Sequence, residues 1–316
     1  MARILLTGAS GFVGSHILRR LMAEGHAVDA AYGAHAARIP AGALRVSPAA
    51  LDLADPDSVE TVFRRSHPDV VVHAGAMADV GACQRDPERA RRINTLATRE
   101  LALLCRIAGA RLVFLSTDQV FRGEPGHAPY REYDDTDPVN IYGHSKLDAE
   151  AAILASRASA TILRIGLVYG FSPSGDRSAL EQLLGAARRG ETATMFTDEF
   201  RTPVLAEDVA LAVSELLFDE AAPLLHIAGP NRLSRHEFAL AVARAFKLDP
   251  GFIRAAQAAE LDLPAPRPRD VSLDTRSARA ALKRVPRSVP VALQQLARTG
   301  AGGQATTREP PGDAAF

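Results

Sequence analysis

Three glycines near the amino terminus restrict the possible folds of this 316-residue chain more than any other feature. Gly8, Gly11 and Gly14 lie in "TGASGFVGSH", which follows the apolar segment "RILLT" and opens a stretch with helical periodicity. A tight glycine turn between a strand and a helix lets the backbone approach a pyrophosphate, and the helix amino terminus offers N–H groups to the phosphates. The segment therefore predicts a dinucleotide-binding α/β fold.

The remainder of the chain alternates between short apolar segments and amphipathic helical patterns. The apolar segments are 3–7, 27–32, 69–74, 111–116, 161–166 and 224–229. Strands that are apolar throughout and separated by helices form a parallel sheet that is covered on both faces. We expect an α/β fold with a doubly wound parallel sheet.

Three helix starts are visible in the sequence. Asp55-Pro56 and Asp86-Pro87 each place an acidic N-cap before a proline at the first helical position. The segment "SRHE" (234–237) has the spacing of a capping box. These positions predict where three of the covering helices begin.

Composition and charge exclude several classes of partner. The chain has 37 basic and 37 acidic residues and a formal net charge of +0, so neither nucleic acid nor an anionic membrane is expected as a partner. Cys83 and Cys105 are too few for a disulfide framework. The amino terminus has the pattern of a first strand rather than of a signal peptide, and no apolar run approaches the length of a membrane span. We expect a cytoplasmic protein.

A tyrosine and a lysine in "YGHSK" predict a catalytic pair. Tyr142 and Lys146 are four residues apart and therefore lie on one face of a helix. A cation one turn away, together with an oxidised nicotinamide, favours the phenolate and lowers the tyrosine pKa from its usual ~10. This spacing is common by chance on helices, and it gains weight from the glycine turn upstream and the hydroxyl-bearing segment "LST" between them.

These motifs resemble those of the extended short-chain dehydrogenases/reductases, and most closely the dTDP-4-dehydrorhamnose reductase group within them. The resemblance covers about residues 2–297 and includes "HAGA", "RINTLAT", "LSTDQVFRG", "YREYDDTDPVNIYGHSKLDAE", "RTPVLAEDVA", "HIAGPNRLSRHEFA" and "RPRDVSLDT". It implies a Rossmann sheet with a smaller mixed α/β substrate lobe. The expected NAD(P)-binding domain comprises 1–170 plus 203–230, the expected lobe comprises 171–202 plus 231–298, and 299–316 is expected to be a disordered tail.

The resemblance implies hydride transfer from NAD(P)H to the 4-keto carbon of a nucleotide-linked 4-keto-6-deoxysugar. Thr117 matches the residue that hydrogen-bonds the substrate oxygen, Tyr142 the proton donor, and Lys146 the residue that holds the nicotinamide ribose. Another family reaction, such as sugar-nucleotide epimerisation or reduction of a different carbonyl, stays open. So does a non-catalytic dinucleotide-binding role like that of the regulatory β subunit of methionine adenosyltransferase, although retention of all three residues argues against it.

The cofactor is expected to be NADP or NAD, with NADPH slightly favoured. Asp29 lies too early in the second strand to bind a ribose 2′-hydroxyl, whereas Arg38 is near enough in sequence to meet a 2′-phosphate; it is equally compatible with a solvated surface arginine. Asp52 is placed to bond the adenine amino group, or is a plain loop acid. The expected cofactor-binding residues are Gly8, Ser10, Gly11, Phe12, Val13, Gly14, Arg38, Asp52, Leu53, Ala74, Gly75, Ala76, Asn94, Tyr142 and Lys146.

The substrate-binding residues are expected to include two arginines, because guanidinium groups match phosphate geometry. Arg201 and Arg267, with Arg269 beside it, are the candidates for the nucleotide diphosphate, and surface salt bridging is the alternative for each. The full expected set is Thr117, Asp118, Gln119, Arg201 and Arg267.

Gln119 bears on the type of reaction. The related 4,6-dehydratases carry a glutamate at this position as a base, and an amide cannot remove a proton, so elimination is disfavoured. The typical reductase has an aromatic residue there, so the chain departs from that group as well. Gln119 is compatible either with a hydrogen bond to a sugar hydroxyl or with a solvent-facing position.

The resemblance also bears on metal binding and assembly. Some reductases of the group carry a glutamate two residues beyond the last glycine that helps to bind a metal between subunits. That position is His16 here, so no such metal site is expected. Helices of this fold often pair across a dimer, and a homodimer is therefore a possible assembly.

Overall fold

The computed structural model of the protein describes residues 2–33, 35–39, 46–219 and 223–303. The strands are β1 (Arg3–Thr7), β2 (Ala27–Tyr32), β3 (Val46–Ala50), β4 (Val70–His73), β5 (Arg111–Thr117), β6 (Ala160–Ile165), β7 (Val168–Tyr169), β8 (Ala193–Phe196), β9 (Phe200–Arg201), β10 (Val204–Leu205), β11 (Leu224–Ile227), β12 (Leu233–Ser234) and β13 (Ile253–Ala256). Within the described residues, seven of these strands form one parallel sheet in the order β11-β6-β5-β4-β1-β2-β3. This order confirms the predicted doubly wound sheet.

Helices cover both faces of the sheet. They are α1 (Phe12–Ala23), α2 (Pro56–Ser66), α3 (Val80–Arg85), α4 (Pro87–Ala90), α5 (Ala97–Ala108), α6 (Ile141–Ser156), α7 (Ala179–Arg189), α8 (Ala206–Leu216), α9 (Arg235–Ala245), α10 (Arg276–Ala281) and α11 (Val289–Gly303), with a π-helical turn (Arg91–Leu96) joining α4 to α5. No helix in the part of the chain that the structure describes is both long and apolar enough to cross a membrane.

The two faces of the sheet follow from the alternation of side chains along each strand. In β1, Ile4 and Leu6 belong to the apolar core shared with α1 and α8, whereas Leu5 belongs to the core shared with α2, α5 and α6. Successive side chains of a strand point to opposite faces, so a strand with helices on both sides is mostly apolar along its length. The continuous apolar segments in the sequence therefore mark the interior strands.

The three predicted helix starts are present. Asp55 and Asp86 accept hydrogen bonds from backbone N–H groups in the first turns of α2 and α4, at 3.1 and 3.0 Å. Ser234 and Glu237 form the capping box of α9, with bonds of 3.0 and 2.7 Å. Each cap satisfies N–H groups that have no partner within the helix.

The smaller lobe has a core of its own. Two short strands, β8 and β13, pair in parallel, and α7, α9 and α11 pack around residues that include Tyr169, Leu183, Phe238 and Leu293. β12 pairs with β9 in the antiparallel direction, so the lobe is mixed as expected.

The predicted boundaries differ from the structure at two places. α10 lies in the range assigned to the lobe, but its Ala278 and the following Leu282 join the core of the large sheet beside β11, because they cover that edge strand. The range assigned to the tail, 299–316, starts within α11, which continues to Gly303. Residues 304–316 lie outside the described residues.

Candidate active site

The glycine turn is packed at the level of the backbone. Gly8 has φ +68°, and a Cβ there would lie 2.7 Å from the Gly75 backbone in the segment after β4. A Cβ on Gly14 would overlap the carbonyl oxygen of Gly8. These contacts hold β1, α1 and the end of β4 so close together that side chains at the two positions are excluded.

The turn opens into a cavity of about 510 Å³. Its lining combines the exposed backbone of the turn, the N-terminal end of α1 and small side chains after β4, which leaves room for phosphates and ribose. Among the expected cofactor-binding residues, Gly8, Ser10, Gly11, Asp52, Leu53, Ala74, Gly75 and Ala76 line this cavity.

A second cavity, of about 320 Å³, contains the predicted catalytic residues. Ala74 and Ala76 line both cavities, so the two adjoin at the carboxyl end of β4. The expected residues that line the second cavity are Val13, Thr117, Asp118, Gln119, Tyr142, Lys146 and Arg201. The structure thus brings the cofactor motif and the catalytic motif to one edge of the sheet, where ligands bind in open α/β sheets.

Five of the predicted site residues line neither cavity: Phe12, Gly14, Arg38, Asn94 and Arg267. Gly14 acts through packing, and the Phe12 ring instead contacts the His16 ring at a centroid distance of 5.8 Å. Arg38 ends a short 3₁₀ turn after β2 and does not line the dinucleotide cavity. Arg267 lies beside Glu199, with 3.9 Å between Nε and Oε1. The predicted contacts of Arg38 with a 2′-phosphate and of Arg267 with the nucleotide diphosphate stay predictions.

A chain of buried hydrogen bonds runs behind the dinucleotide cavity. Thr98 donates its hydroxyl proton to the Asn94 carbonyl at 2.6 Å, so it accepts from Nε2 of His73 at 3.0 Å. Nδ1 of His73 then has no proton and accepts from the Thr7 hydroxyl at 2.6 Å, while the Gly75 N–H donates to Thr7 at 3.1 Å. The pattern assigns one tautomer of neutral His73 and ties the glycine turn to the helix that carries Asn94.

Burial lowers the pKa of His73 to about 3, and the charge of Lys146 adds to the effect. In the unfolded chain the imidazole titrates near ~6.5. Between pH 6.5 and pH 5, His73 therefore binds a proton in the unfolded state but not in the folded state. The free energy of unfolding falls by about 2 kcal/mol as a result. Denaturant unfolding at the two pH values should show a loss that is larger by this amount in the wild type than in His73→Gln.

The control for this experiment is internal. Burial also lowers the pKa of His226 to about 4, but both proteins retain His226, so its contribution cancels in the comparison. Equal pH slopes for the wild type and His73→Gln would contradict a neutral, buried His73.

Asn94 joins two walls of the site. Its Oδ1 accepts from the Met77 N–H at 2.8 Å, and its Nδ2 donates to the Met77 carbonyl at 3.0 Å and to the Ser145 hydroxyl at 2.9 Å. It lies in the π-helical turn and lines neither cavity. Its amide is therefore engaged by the protein, which favours a role in shaping the site over direct contact with a cofactor.

The start of α6 brings Tyr142 next to Thr117. Asn140 caps the helix by accepting from the Gly143 N–H at 2.9 Å, and its Nδ2 donates to Oε1 of Gln119 at 3.1 Å. A Cβ on Gly143 would overlap the carbonyl oxygen of Gln119, so the helix meets the turn after β5 at backbone contact. Because of its bond to Asn140, the Gln119 side chain is held at the cavity wall.

Burial has the largest effect on the pKa values of Tyr142 and Lys146. It raises the pKa of Tyr142, although the ring borders the cleft, and a hydrogen bond with the Thr117 side chain opposes the rise. It lowers the pKa of Lys146 to about 7, against the opposing charge of Glu150. The Lys146 ammonium lies 3.9 Å from the centre of the Phe114 ring. Desolvation of the phenolate is the largest cause and the charge of Asp118 adds to it, so the Tyr142 pKa moves opposite to the lowering expected from Lys146 together with an oxidised nicotinamide.

Glu150 belongs to a buried ion pair beneath the site. Its Oε2 lies 2.7 Å from Nη2 of Arg164, and Oε1 accepts from the Ser116 hydroxyl at 2.5 Å. This pair fixes α6 against β5 and β6. It therefore places a compensated negative charge one helical turn from Lys146.

A loose cluster of charged residues includes two that line the second cavity, Asp118 and Arg201. Burial raises the pKa of Asp118 to about 6, and its Oδ2 has no hydrogen-bond partner within the described structure. Nε of Arg201 lies 4.0 Å from that oxygen, and its Nη2 lies 3.8 Å from the buried Glu199. Arg269 lies 3.7 Å from Asp198. These separations exceed hydrogen-bond distance, so none of the three contacts is a hydrogen-bonded ion pair.

His16 is buried and hydrogen-bonded within the protein. Its Nε2 lies 2.8 Å from the Phe171 carbonyl, and burial lowers its pKa. The ring therefore fastens α1 to the segment after β7.

Residues that the sequence analysis did not select complete the dinucleotide cavity. They are Ala31, Tyr32, Gly33, Leu51, Met77, Arg89, Ile93 and Arg177. Tyr32 and Gly33 follow β2, as the fold requires of cofactor neighbours. Arg89 and Arg177 carry no local pattern in the sequence, because only the folding of distant segments brings them to the cavity.

Comparison with known proteins agrees with this geometry. The profile of the RmlD substrate binding domain family matches residues 2–300. The chain belongs to that family.

Three proteins illustrate the similarity of this RmlD family member to known chains. The dTDP-4-dehydrorhamnose reductase of Mycolicibacterium smegmatis is 32% identical over 283 residues, which are 89% of this chain and 80% of that protein. The methionine adenosyltransferase 2 subunit beta of Pongo abelii is 30% identical over 281 residues, 86% of this chain and 80% of that protein. The crystal structure of a hypothetical dTDP-4-dehydrorhamnose reductase from Sulfolobus tokodaii is 31% identical, with a TM-score of 0.78 over 90% of this chain and 97% of that one.

Membership in the RmlD family confirms the resemblance inferred from the sequence motifs. The similarity extends through the lobe as well as the sheet, since the match continues to residue 300.

Proposed function

We propose that this protein is an NAD(P)H-dependent reductase of the 4-keto group of a nucleotide-linked 4-keto-6-deoxysugar. The observation that carries the proposal is the shared wall of Ala74 and Ala76, which joins the cavity of the glycine turn to the cavity of Thr117 and Tyr142. A hydride donor in the first cavity would lie next to a proton donor in the second. The similarity to a named dTDP-4-dehydrorhamnose reductase supports this choice of substrate class.

The bound nicotinamide would supply the hydride, and the residues of this chain would supply position and the proton. Burial keeps Tyr142 protonated, so the phenol is an acid ready to protonate the developing alkoxide. Thr117, hydrogen-bonded to Tyr142, would hold the same oxygen. Lys146, with a pKa of about 7, would hydrogen-bond the nicotinamide ribose. It would also donate a proton to the Tyr142 phenolate, which restores the phenol. The Gln119 amide supplies no base, which favours reduction over elimination.

The test follows the absorbance of reduced nicotinamide with dTDP-4-keto-6-deoxyglucose, with and without prior 3,5-epimerisation. We expect sustained loss of absorbance with at least one of the two ketosugars, and parallel runs with NADH and NADPH would give the cofactor preference. A new sugar epimer formed without net loss of absorbance would instead indicate an epimerase, because an epimerase returns its hydride in each cycle.

A second candidate is a non-catalytic, dinucleotide-binding partner protein. The similarity to the methionine adenosyltransferase 2 subunit beta favours it. In that case the protein would bind dinucleotide and show no turnover with any ketosugar.

We also propose a cytoplasmic location and a homodimer. The free, buried thiols of Cys83 and Cys105 suit a reducing compartment. Leu103 and Ile107 of α5 and Leu154 of α6 are exposed on two helices that pack together, and a second copy could cover them. Light scattering of the purified protein would give its mass in solution.

A further inference from the structure

Arg177 lies in the lobe, and its backbone is fixed by the helix that follows. Its N–H donates to Oε2 of Glu181 at 2.9 Å, and the N–H groups of Ser172 and Ser178 donate to the same carboxylate at 2.6 and 3.0 Å. The Ser178 hydroxyl donates to the Gly170 carbonyl at 2.6 Å. The capping box of α7 thus anchors the loop from which the Arg177 side chain extends.

Arg177 lines the dinucleotide cavity. It shares the lining with Ser10 and Gly11 of the glycine turn and with Arg89 of α4. Within the described residues, neither the Arg177 nor the Arg89 guanidinium forms an ion pair. Two guanidinium groups without an ion-pair partner, beside backbone N–H groups, favour the binding of a phosphate.

The acidic residues near the cavity do not compensate the two arginines. Asp52 is the acidic residue among the lining residues, and its Oδ1 accepts from the Ala54 N–H at 2.8 Å. Asp29 of β2 is hydrogen-bonded to Ser66 on the far side of the strand. Hence the described lining carries a net positive charge, and no carboxylate from the second strand is available to a ribose 2′-hydroxyl.

We propose that Arg177, together with Arg89 of the same lining, binds a phosphate group of the dinucleotide and so links the lobe to the cofactor. The inference rests on the proposed use of NAD(P)H. The phosphate is either the 2′-phosphate that distinguishes NADPH or the pyrophosphate common to both cofactors. In either case a residue outside the Rossmann segments contributes to cofactor affinity.

The test is direct binding of NADPH and of NADH to the full chain without sugar, followed by fluorescence or calorimetry. Arg177→Ala should raise the Kd for NADPH about 10-fold, the effect of losing one charge-assisted interaction. A larger Kd for NADPH alone would identify the 2′-phosphate as the partner. An equal increase for both cofactors would identify the pyrophosphate.

Arg188→Ala is the matched control, because Arg188 is an exposed arginine of α7 away from the cavity. Its Kd values should equal those of the wild type. Unchanged binding by Arg177→Ala, alone and combined with Arg89→Ala, would overturn this inference and leave the proposed reaction intact. Absence of dinucleotide binding by the wild type would overturn both.

Discussion

Replacing Tyr142 by phenylalanine is expected to lower the rate of ketosugar reduction by about 10³-fold, within the range for loss of a general acid. The substitution removes the hydroxyl that bonds Thr117 and leaves the ring, so the cavity keeps its shape. Affinity for NADPH should stay within a factor of about two, because Tyr142 lies in the second cavity rather than in that of the glycine turn. Single-turnover kinetics and a fluorescence titration would measure the two quantities.

Tyr133→Phe provides the matched control. Tyr133 is 82% exposed and lies away from both cavities, so the same chemical change there should leave turnover unaltered. Full turnover by Tyr142→Phe would exclude Tyr142 as the proton donor. Equal performance of wild type and Tyr142→Phe in a cellular assay would favour the non-catalytic partner protein.

Replacing Gly14 by alanine is expected to abolish measurable dinucleotide binding and to destabilise the fold by about 3 kcal/mol, the upper range for overpacking. The added methyl group would overlap the Gly8 carbonyl, and a backbone atom in a tight turn has little room to move. Any relaxation must displace the turn that forms the phosphate site. Denaturant unfolding and NADPH titration would record the two losses.

Gly185→Ala separates this packing effect from the general effect of removing a helical glycine. Gly185 also lies within a helix, but its Cβ would meet only the flexible end of Arg189 at 3.0 Å. Alanine there should be neutral or stabilise the protein by up to about 1 kcal/mol through helix propensity. Similar destabilisation by both variants would show that the Gly8–Gly14 contact is not the cause.

Local patterns in the sequence were sufficient for the interior of the sheet. β1 and β2 have the predicted bounds, because a strand that is buried on both faces is mostly apolar and is followed by a turn. β3 was not among the predicted strands. Pro48 lies in its middle, and a strand at the edge of the sheet tolerates a proline that an interior strand would not.

The pKa values and the distant lining residues of the site were harder to predict from the sequence than the sheet. Motifs placed Thr117, Tyr142 and Lys146 in one cavity, because their spacing fixes them to the end of β5 and to one face of α6. They could not show how completely distant segments bury Tyr142, and this burial raises its pKa. The sequence did not predict Arg177 as a site residue, because only the folding of distant segments brings it to the cavity.

The contact between Gly143 and the backbone of Gln119 restricts the residue type at position 143 but not at position 119. Position 143 must stay a glycine, because the helix rests on a carbonyl oxygen of the turn. Position 119 contributes that oxygen whatever its side chain, so its residue type can change while Tyr142 stays in register. Asn140 would still be held by the Pro266 carbonyl, at 3.2 Å, if the glutamine amide were lost. A lineage could therefore exchange glutamine, glutamate and aromatic residues at 119, and with them substrates or reactions, without rebuilding the scaffold.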